Sequence, residues 1–160
     1  MADINGDLLE SRVRERVFAY LNRFAPRLRL MTDARMADLL EDALDDGMVT
    51  ATEFDQINLL DFVAQGRHRD TSESLYLAGE VSYTVADKDL DQAVDRAKLL
   101  QKATDTPTIP VVIGKVIPDL MKQKATERGA GWLCYRKSVG QWTVTQLLTT
   151  AYSMSLNKVI

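Results

Sequence analysis

The fold of this chain is decided by residues 59–85, which read LLDFVAQGRHRDTSESLYLAGEVSYTV. The two ends of this stretch, residues 59–64 and 74–85, are rich in strand-forming residues and apolar on both faces. The polar residues 66–73 between them suit the turn of a hairpin. Strands that are apolar on both faces belong to a sheet with a covering layer on each side. The stretch therefore predicts an antiparallel hairpin in a sheet flanked by helices.

Three helices are predicted before this hairpin. Residues 7–24 carry apolar residues at spacings of three and four, and Pro26 ends the pattern. Residues 33–46 predict a second helix, with Gly47 placed just past its C-terminus. Thr50-Ala-Thr-Glu53 reads as a capping box that opens a short third helix, because its two side chains can each bond a free backbone amide.

Helices and strands alternate after the hairpin: a helix over 89–102, a strand over 108–113, a helix over 118–128 and a strand over 131–135. Asp89-Leu-Asp-Gln92 is a second candidate capping box, and Pro118 and Gly129 stand where a helix start and end favour them. The alternation favours parallel crossovers added to the hairpin. Residues 142–145 suit a further strand and residues 146–152 a helix.

The sequence predicts one α/β domain with a mixed central sheet. Its length of 160 residues is that of a single domain with one substantial core. We divide it into N-terminal helices (1–56), a core (57–135) and a C-terminal extension (136–160).

Charge and composition restrict the classes of partner. A net charge of −3 argues against a broad basic surface, so any contact with nucleic acid must be local; an acidic protein without such a contact fits equally well. No apolar run approaches the roughly 20 residues that span a bilayer. The first residues carry no basic and apolar signal pattern, so the cytoplasm is the expected compartment.

The cysteine and histidine content limits the chemistry. Cys134 is the only cysteine, which excludes an internal disulfide and a cysteine-built zinc site. His68 is the only histidine, and its charged, turn-like surroundings predict a solvated loop residue rather than a catalytic base.

Two acidic residues, Asp61 and Glu80, lie at positions that are symmetric about the junction of residues 70 and 71. A turn centred there makes them direct cross-strand neighbours, with Cβ atoms roughly 4.5–5.5 Å apart. Two like charges so placed need compensation by a cation, a basic side chain or a shared proton. The alternative is that Asp61 caps a turn and Glu80 pairs with an arginine. A register shift of one residue would put the two on opposite faces.

Mg²⁺ suits the first form of compensation. It prefers oxygen ligands and typically takes one or two carboxylates, leaving water and substrate phosphate to complete its octahedron. Mn²⁺ is the expected substitute. A metal in this position activates water and neutralises charge on a phosphoryl transition state.

The pattern resembles the PD-(D/E)XK superfamily of restriction endonucleases and repair nucleases, on the motifs Leu60-Asp61-Phe62-Val63 and Glu80-Val81-Ser82. It is similar also to an uncharacterised bacterial subfamily, on Asp89-Leu-Asp-Gln-Ala-Val-Asp-Arg96-Ala and on residues 99–104 and 110–114. The resemblance covers about residues 8–135. It implies a restriction-endonuclease-like sheet, built from a helix, a three-stranded meander, a helix and a strand, with extra N-terminal helices.

The resemblance also implies roles for individual residues. Asp61 and Glu80 would be metal ligands, and the Val81 carbonyl a third. Further polar residues would lie near the site: Glu10, Gln92 and Arg96. The superfamily lysine falls at position 82, where this chain has Ser82, so Lys98 or Lys88 would have to supply the positive charge. Glu10 reads equally well as a solvated helix residue, and Arg96 as a group that only neutralises the two acids.

Three functions are consistent with these residues. The first is Mg²⁺-dependent hydrolysis of a nucleic-acid phosphodiester, with Asp61, Glu80, Ser82 and Arg96 at the catalytic site. The second is a catalytically inactive member that binds nucleic acid or protein. The third is a homodimer or larger homo-oligomer that packs through the apolar residues 144–160, which could equally complete the core of the monomer.

Overall fold

The computed structural model describes Leu21, residues 25–138 and residues 141–144, with side-chain packing given up to Cys134. Numbered in chain order, the described strands and helices are β1 Arg29–Leu30, α1 Asp33–Asp45, α2 Ala51–Asn58, β2 Phe62–Arg67, β3 Ser74–Thr84, α3 Asp87–Thr104, β4 Thr108–Val116, α4 Asp119–Glu127, β5 Gly131–Ser138 and β6 Gln141–Val144.

The strands lie side by side in chain order, β1-β2-β3-β4-β5-β6. β1, β2 and β3 form an antiparallel meander, β4 and β5 continue it in parallel, and β6 returns antiparallel to β5. The two parallel steps are crossed by α3 and α4. The predicted α/β class, mixed sheet and parallel crossovers are confirmed.

Local signals placed most helix ends correctly. The Thr50 hydroxyl accepts from the Glu53 amide and the Glu53 carboxylate accepts from the Thr50 amide, so the first capping box is confirmed. Gly47 and Gly129 have φ of 71° and 72°, the left-handed conformation that favours glycine after a helix. Pro118 caps the start of α4.

The capping box predicted at residues 89–92 is wrong, because α3 begins two residues earlier, at Asp87. The Asp89 carboxylate instead accepts from the backbone amide of Ala86, at 2.9 Å. This bond satisfies one of the free amides at the helix start from inside the first turn.

The start of β2 also differs from the prediction, which placed it at residue 59. The amides of Leu59 and Leu60 donate to the carbonyls of Gln56 and Ile57, at 3.2 and 3.1 Å. These two residues therefore finish the last turn of α2, and the strand begins only at Phe62. The apolar character of Leu59 and Leu60 does not by itself distinguish a tight turn from a strand.

Both faces of the sheet are buried, as predicted. α1, α2 and α3 cover one face through a cluster that includes Leu40, Ile57 and Leu100, and α3 and α4 extend this layer over β4 and β5. On the opposite face Leu21, Ala25 and Leu28 pack against β2, β3, β4 and β5.

Several predictions fall outside the described residues. They are the helix over 7–24 apart from Leu21, the position of Glu10, the helix over 146–152 and the packing of the apolar tail. In the part of the chain that is described, no helix has the length and apolar character needed to cross a membrane.

Candidate functional site

The β2–β3 hairpin has the register that the sequence predicted. Its pairs run from Arg67↔Ser74 to Phe62↔Gly79, so the hairpin is centred between residues 70 and 71. Glu80 lies one residue beyond the last of these pairs and faces the helical layer, on the same face as Ala78.

Asp61 departs from the regular ladder. Its amide donates to the Gly79 carbonyl at 3.0 Å, although Gly79 already pairs with Phe62. Asp61, just before β2, and Phe62 thus both face Gly79, so the ladder ends in an irregularity like a β-bulge, which we call the bulge and which re-aims the Asp61 side chain. The Asp61 carboxylate is used within the sheet, because its Oδ2 accepts from the Val81 amide at 2.7 Å.

Gly79 permits this arrangement. A Cβ atom at position 79 would lie 2.0 Å from the ring of Phe62, so the ring occupies the space that any other side chain would need. The ring of Phe62 therefore lies against β3 and fixes the strand beside the bulge.

Glu80 is held by an arginine from α3. The Nη1 atom of Arg96 lies 2.5 Å from Oε1 of Glu80 and 3.3 Å from the carbonyl oxygen of Leu59. Glu80 is 5% exposed and Arg96 8%, so this is a buried ion pair. The same guanidinium links α3, the end of α2 and β3.

Burial raises the pKa of Glu80 to about 8, and the neighbouring Asp61 charge adds to this effect against the opposing influence of Arg96. Burial raises the pKa of Asp61 as well, although the Val81 amide and a hydrogen bond with Glu80 oppose the increase. Burial thus raises the pKa of both carboxyl groups, and at Glu80 the Arg96 guanidinium opposes the increase.

We call Asp61, Glu80 and Arg96 the acid cluster. The sequence offered three forms of compensation for two adjacent acids, and the structure contains the basic side chain, that of Arg96. The buried Nε atom of Arg96 meets no acceptor among the residues that the structure describes.

The other predicted site residues differ in their exposure and contacts. Ser82 is half-buried, and its hydroxyl donates to the carbonyl of Thr84 at 3.0 Å, back along its own strand. Val81 contacts the cluster through its amide. Gln92 is half-buried one helical turn before Arg96, whereas Lys88 and Lys98 are exposed.

The donor set fits a magnesium ion poorly. Among the described residues, no group of three or more carboxylate, histidine or cysteine side chains converges on one point. Two acids do converge, but both already accept hydrogen bonds. Glu80 accepts from Arg96, and Asp61 accepts from the Val81 amide. An ion bound here would have to displace the Arg96 guanidinium from the buried Glu80 carboxylate.

The sequence missed the role of His68. It is 8% exposed rather than solvated, and its Nδ1 atom accepts from the amides of Asp70 and Thr71, at 3.0 and 3.1 Å. It therefore acts as a structural acceptor at the hairpin turn. The signal in the sequence was that His68 stands two and three residues before Asp70 and Thr71. A side-chain acceptor at that spacing can bond the backbone amides of a turn. The only cysteine, Cys134, is buried and donates to the Lys115 carbonyl at 3.4 Å.

No protein-family model, curated protein or solved structure matches this chain. The residues and their geometry are therefore the basis for a functional proposal.

Proposed function

We propose that this chain is a PD-(D/E)XK-like protein that has lost catalysis and acts as a binding module for nucleic acid or protein. The order of elements supports the restriction-endonuclease-like core, since the meander β1–β2–β3 is followed by α3 and the parallel strand β4. Asp61 directly precedes the second of these strands and Glu80 lies on the third, the positions of the two acids in the superfamily pattern.

The ion pair between Arg96 and Glu80 is the observation that carries the loss of catalysis. A carboxylate that coordinates metal and substrate must be reachable from solvent, whereas Glu80 is almost fully buried and already bonded at 2.5 Å. Ser82 supplies no positive charge, and its hydroxyl bonds to Thr84. The cluster holds α2, α3 and β3 together instead of acting on a phosphate.

Mg²⁺-dependent phosphodiester hydrolysis is the second candidate. It is favoured by the proximity of Asp61, which is half-buried, and Glu80, which is buried, because raised pKa values of neighbouring acids are common at functional sites. Arg96 would then have to leave Glu80 when an ion binds.

The thermal midpoint of unfolding, measured with and without Mg²⁺ or Mn²⁺, separates the two candidates. We expect the wild-type protein and the Asp61→Asn variant to respond equally to millimolar metal, and neither to cleave DNA or RNA. Exposed carboxylates bind divalent ions weakly and without specificity, so a small shift common to both proteins is consistent with the binding module.

A stabilisation by metal that is lost in Asp61→Asn, together with metal-dependent cleavage by the wild type, would overturn the proposal. Asp55→Asn is the matched control, because it removes one exposed carboxylate of α2 outside the cluster.

A further inference from the structure

Five exposed arginines gather around one edge of the sheet: Arg27, Arg29, Arg35, Arg67 and Arg69. We call them the arginine edge. They come from two short segments, residues 27–35 and 67–73, which also contain the carboxylates Asp33, Asp70 and Glu73. The two segments thus carry a surplus of two positive charges in a chain whose net charge is −3.

Strand pairing brings the two segments together. Arg29 lies directly opposite Gln65 in the β1–β2 pair, and Arg35 donates to the side-chain oxygen of Gln65 at 3.2 Å. Arg67 is two residues further along β2, and its amide donates to the carbonyl of Pro26, next to Arg27, at 3.0 Å. These contacts bring the segments of Arg27, Arg29, Arg35 and Arg67 together although 40 positions separate Arg27 from Arg67 in the chain, and Arg69 follows two residues after Arg67.

The bonding of two of these arginines, Arg35 and Arg67, differs from that of three cations in the helical layer. Lys102, Lys124 and Arg128 each lie within 3.0 Å of a carboxylate, on Glu53, Asp87 and Asp91 respectively. Arg35 donates to an amide oxygen and Arg67 donates to the Ser72 carbonyl at 3.0 Å. Uncharged acceptors hold these two guanidiniums in place without neutralising their charge.

We infer that the arginine edge binds the phosphate backbone of a nucleic acid. A planar guanidinium matches the oxygens of a phosphate in a bidentate manner, and an arginine held by a neutral acceptor loses less freedom on binding. The two-residue step along β2 from Gln65 to Arg67 spans about 7 Å. This is close to the axial rise of two nucleotides along one DNA strand.

The proposed function leaves nucleic acid and protein open as partners, and this inference names nucleic acid. Only that choice of partner rests on the proposed function. The edge is distant from the acid cluster, since the five steps from Phe62 to Arg67 extend over about 17 Å. Contact with the backbone alone carries no sequence preference, so we expect binding to be non-specific.

Fluorescence anisotropy with a short labelled DNA duplex, in EDTA and over a range of salt concentrations, tests the inference on the full chain. We expect the double variant Arg35→Gln/Arg67→Gln to bind about tenfold or more weakly at low salt. The slope of log K against log salt should become shallower by about two, one for each lost phosphate contact.

The matched control is Lys124→Gln/Arg128→Gln, which removes the same charge from α4 and the residue that follows it, where both cations are already paired with acids. We expect its affinity to stay within about twofold of the wild type, because general attraction alone is a small part of a contact-based affinity. Circular dichroism checks that both variants are folded.

Equal losses in the two double variants would overturn the inference, as would a wild-type protein that does not bind the duplex. Equally tight binding to anionic phospholipid vesicles would replace nucleic acid by a membrane surface as the partner. Because EDTA removes divalent metal ions, the binding assay tests the arginine edge alone. The proposed loss of catalysis is tested separately, by metal-dependent stability and cleavage.

Discussion

The acid cluster and the arginine edge lie at opposite ends of β2 and treat charge in opposite ways. In the acid cluster Glu80 and Arg96 are buried and bond to each other, and Asp61 lies half-buried beside them. At the arginine edge the side chains are exposed, and Arg35 and Arg67 are held by uncharged oxygens. The comparison shows that the buried charges bond to each other and stabilise the fold, whereas the exposed Arg35 and Arg67 can still bind a partner.

The energetic consequences differ in the same way. Desolvation of a buried ion pair largely cancels its attraction, so the pair adds little net stability, but removing one member leaves a buried charge at high cost. An exposed arginine is screened by water and contributes little to stability. Mutations should therefore damage the fold at one end of β2 and binding at the other.

Removing the Glu80 side chain gives the largest expected effect. Glu80→Ala leaves the Arg96 guanidinium buried without its partner, and we expect a loss of about 3–5 kcal/mol in the free energy of unfolding. Urea denaturation measures it. Glu80→Gln is the control, because its amide oxygen still accepts from Arg96, and it should cost far less.

Should Glu80→Ala fail to fold, the double variant Glu80→Ala/Arg96→Met removes both charges and should recover a folded protein. Equal stability of Glu80→Ala and Glu80→Gln would show that the ion pair is not what holds α3 to β3.

The pH dependence of stability is the next largest effect. The pKa of Glu80 is raised from 4.5 to about 8 on folding, so between these values the folded state holds a proton that the unfolded state has lost. The contribution is fully present below pH 4.5 and is lost as the pH rises through about 8, by roughly 1 kcal/mol per pH unit.

Urea unfolding of the wild type and of Glu80→Gln, in EDTA and over this pH range, isolates the contribution. The wild type should lose stability relative to Glu80→Gln as the pH rises. A difference between the two proteins that is independent of pH would mean that Glu80 does not carry the proton.

Crowding the bulge beside Asp61 should cost about 1–3 kcal/mol. Gly79→Ala places a methyl group where the ring of Phe62 lies, and the core must shift to admit it. Chemical denaturation measures the loss. Adding Phe62→Leu should restore part of it, and no recovery in the double variant would contradict the proposed cause.

The smallest effect is expected at the arginine edge. Arg35→Gln and Arg67→Gln should each change the free energy of unfolding by no more than about 0.5 kcal/mol, because both side chains are exposed. Arg96→Gln is the comparison and should destabilise strongly. Large losses from the edge variants would mean that these arginines serve the fold as well.

Much of the fold was predictable because its signals are local. The two-sided apolar strands, the capping box at Thr50 and the glycines after two helices each depend on residues close in the chain. The hairpin register followed from the polar turn between its strands. Predictions failed where the same residues suit both the end of one element and the start of the next. Leu59 and Leu60 end α2 instead of beginning β2.

Less of the candidate site was predictable. The sequence placed Asp61 and Glu80 together and named Arg96 among the residues near them, but left its role open between catalysis and neutralisation. The bulge at Asp61, the buried acceptor role of His68 and the joining of two arginine segments all depend on distant parts of the chain.

The sequence by itself determined the α/β order of elements, the hairpin register and the meeting of two acids, because periodicity and turn chemistry act over a few residues. Tertiary structure alone decided that Arg96 would reach Glu80 across the packed layers and that Arg29 would lie beside β2. Contacts between residues far apart in the chain depend on how layers pack, and no short stretch of sequence encodes that packing.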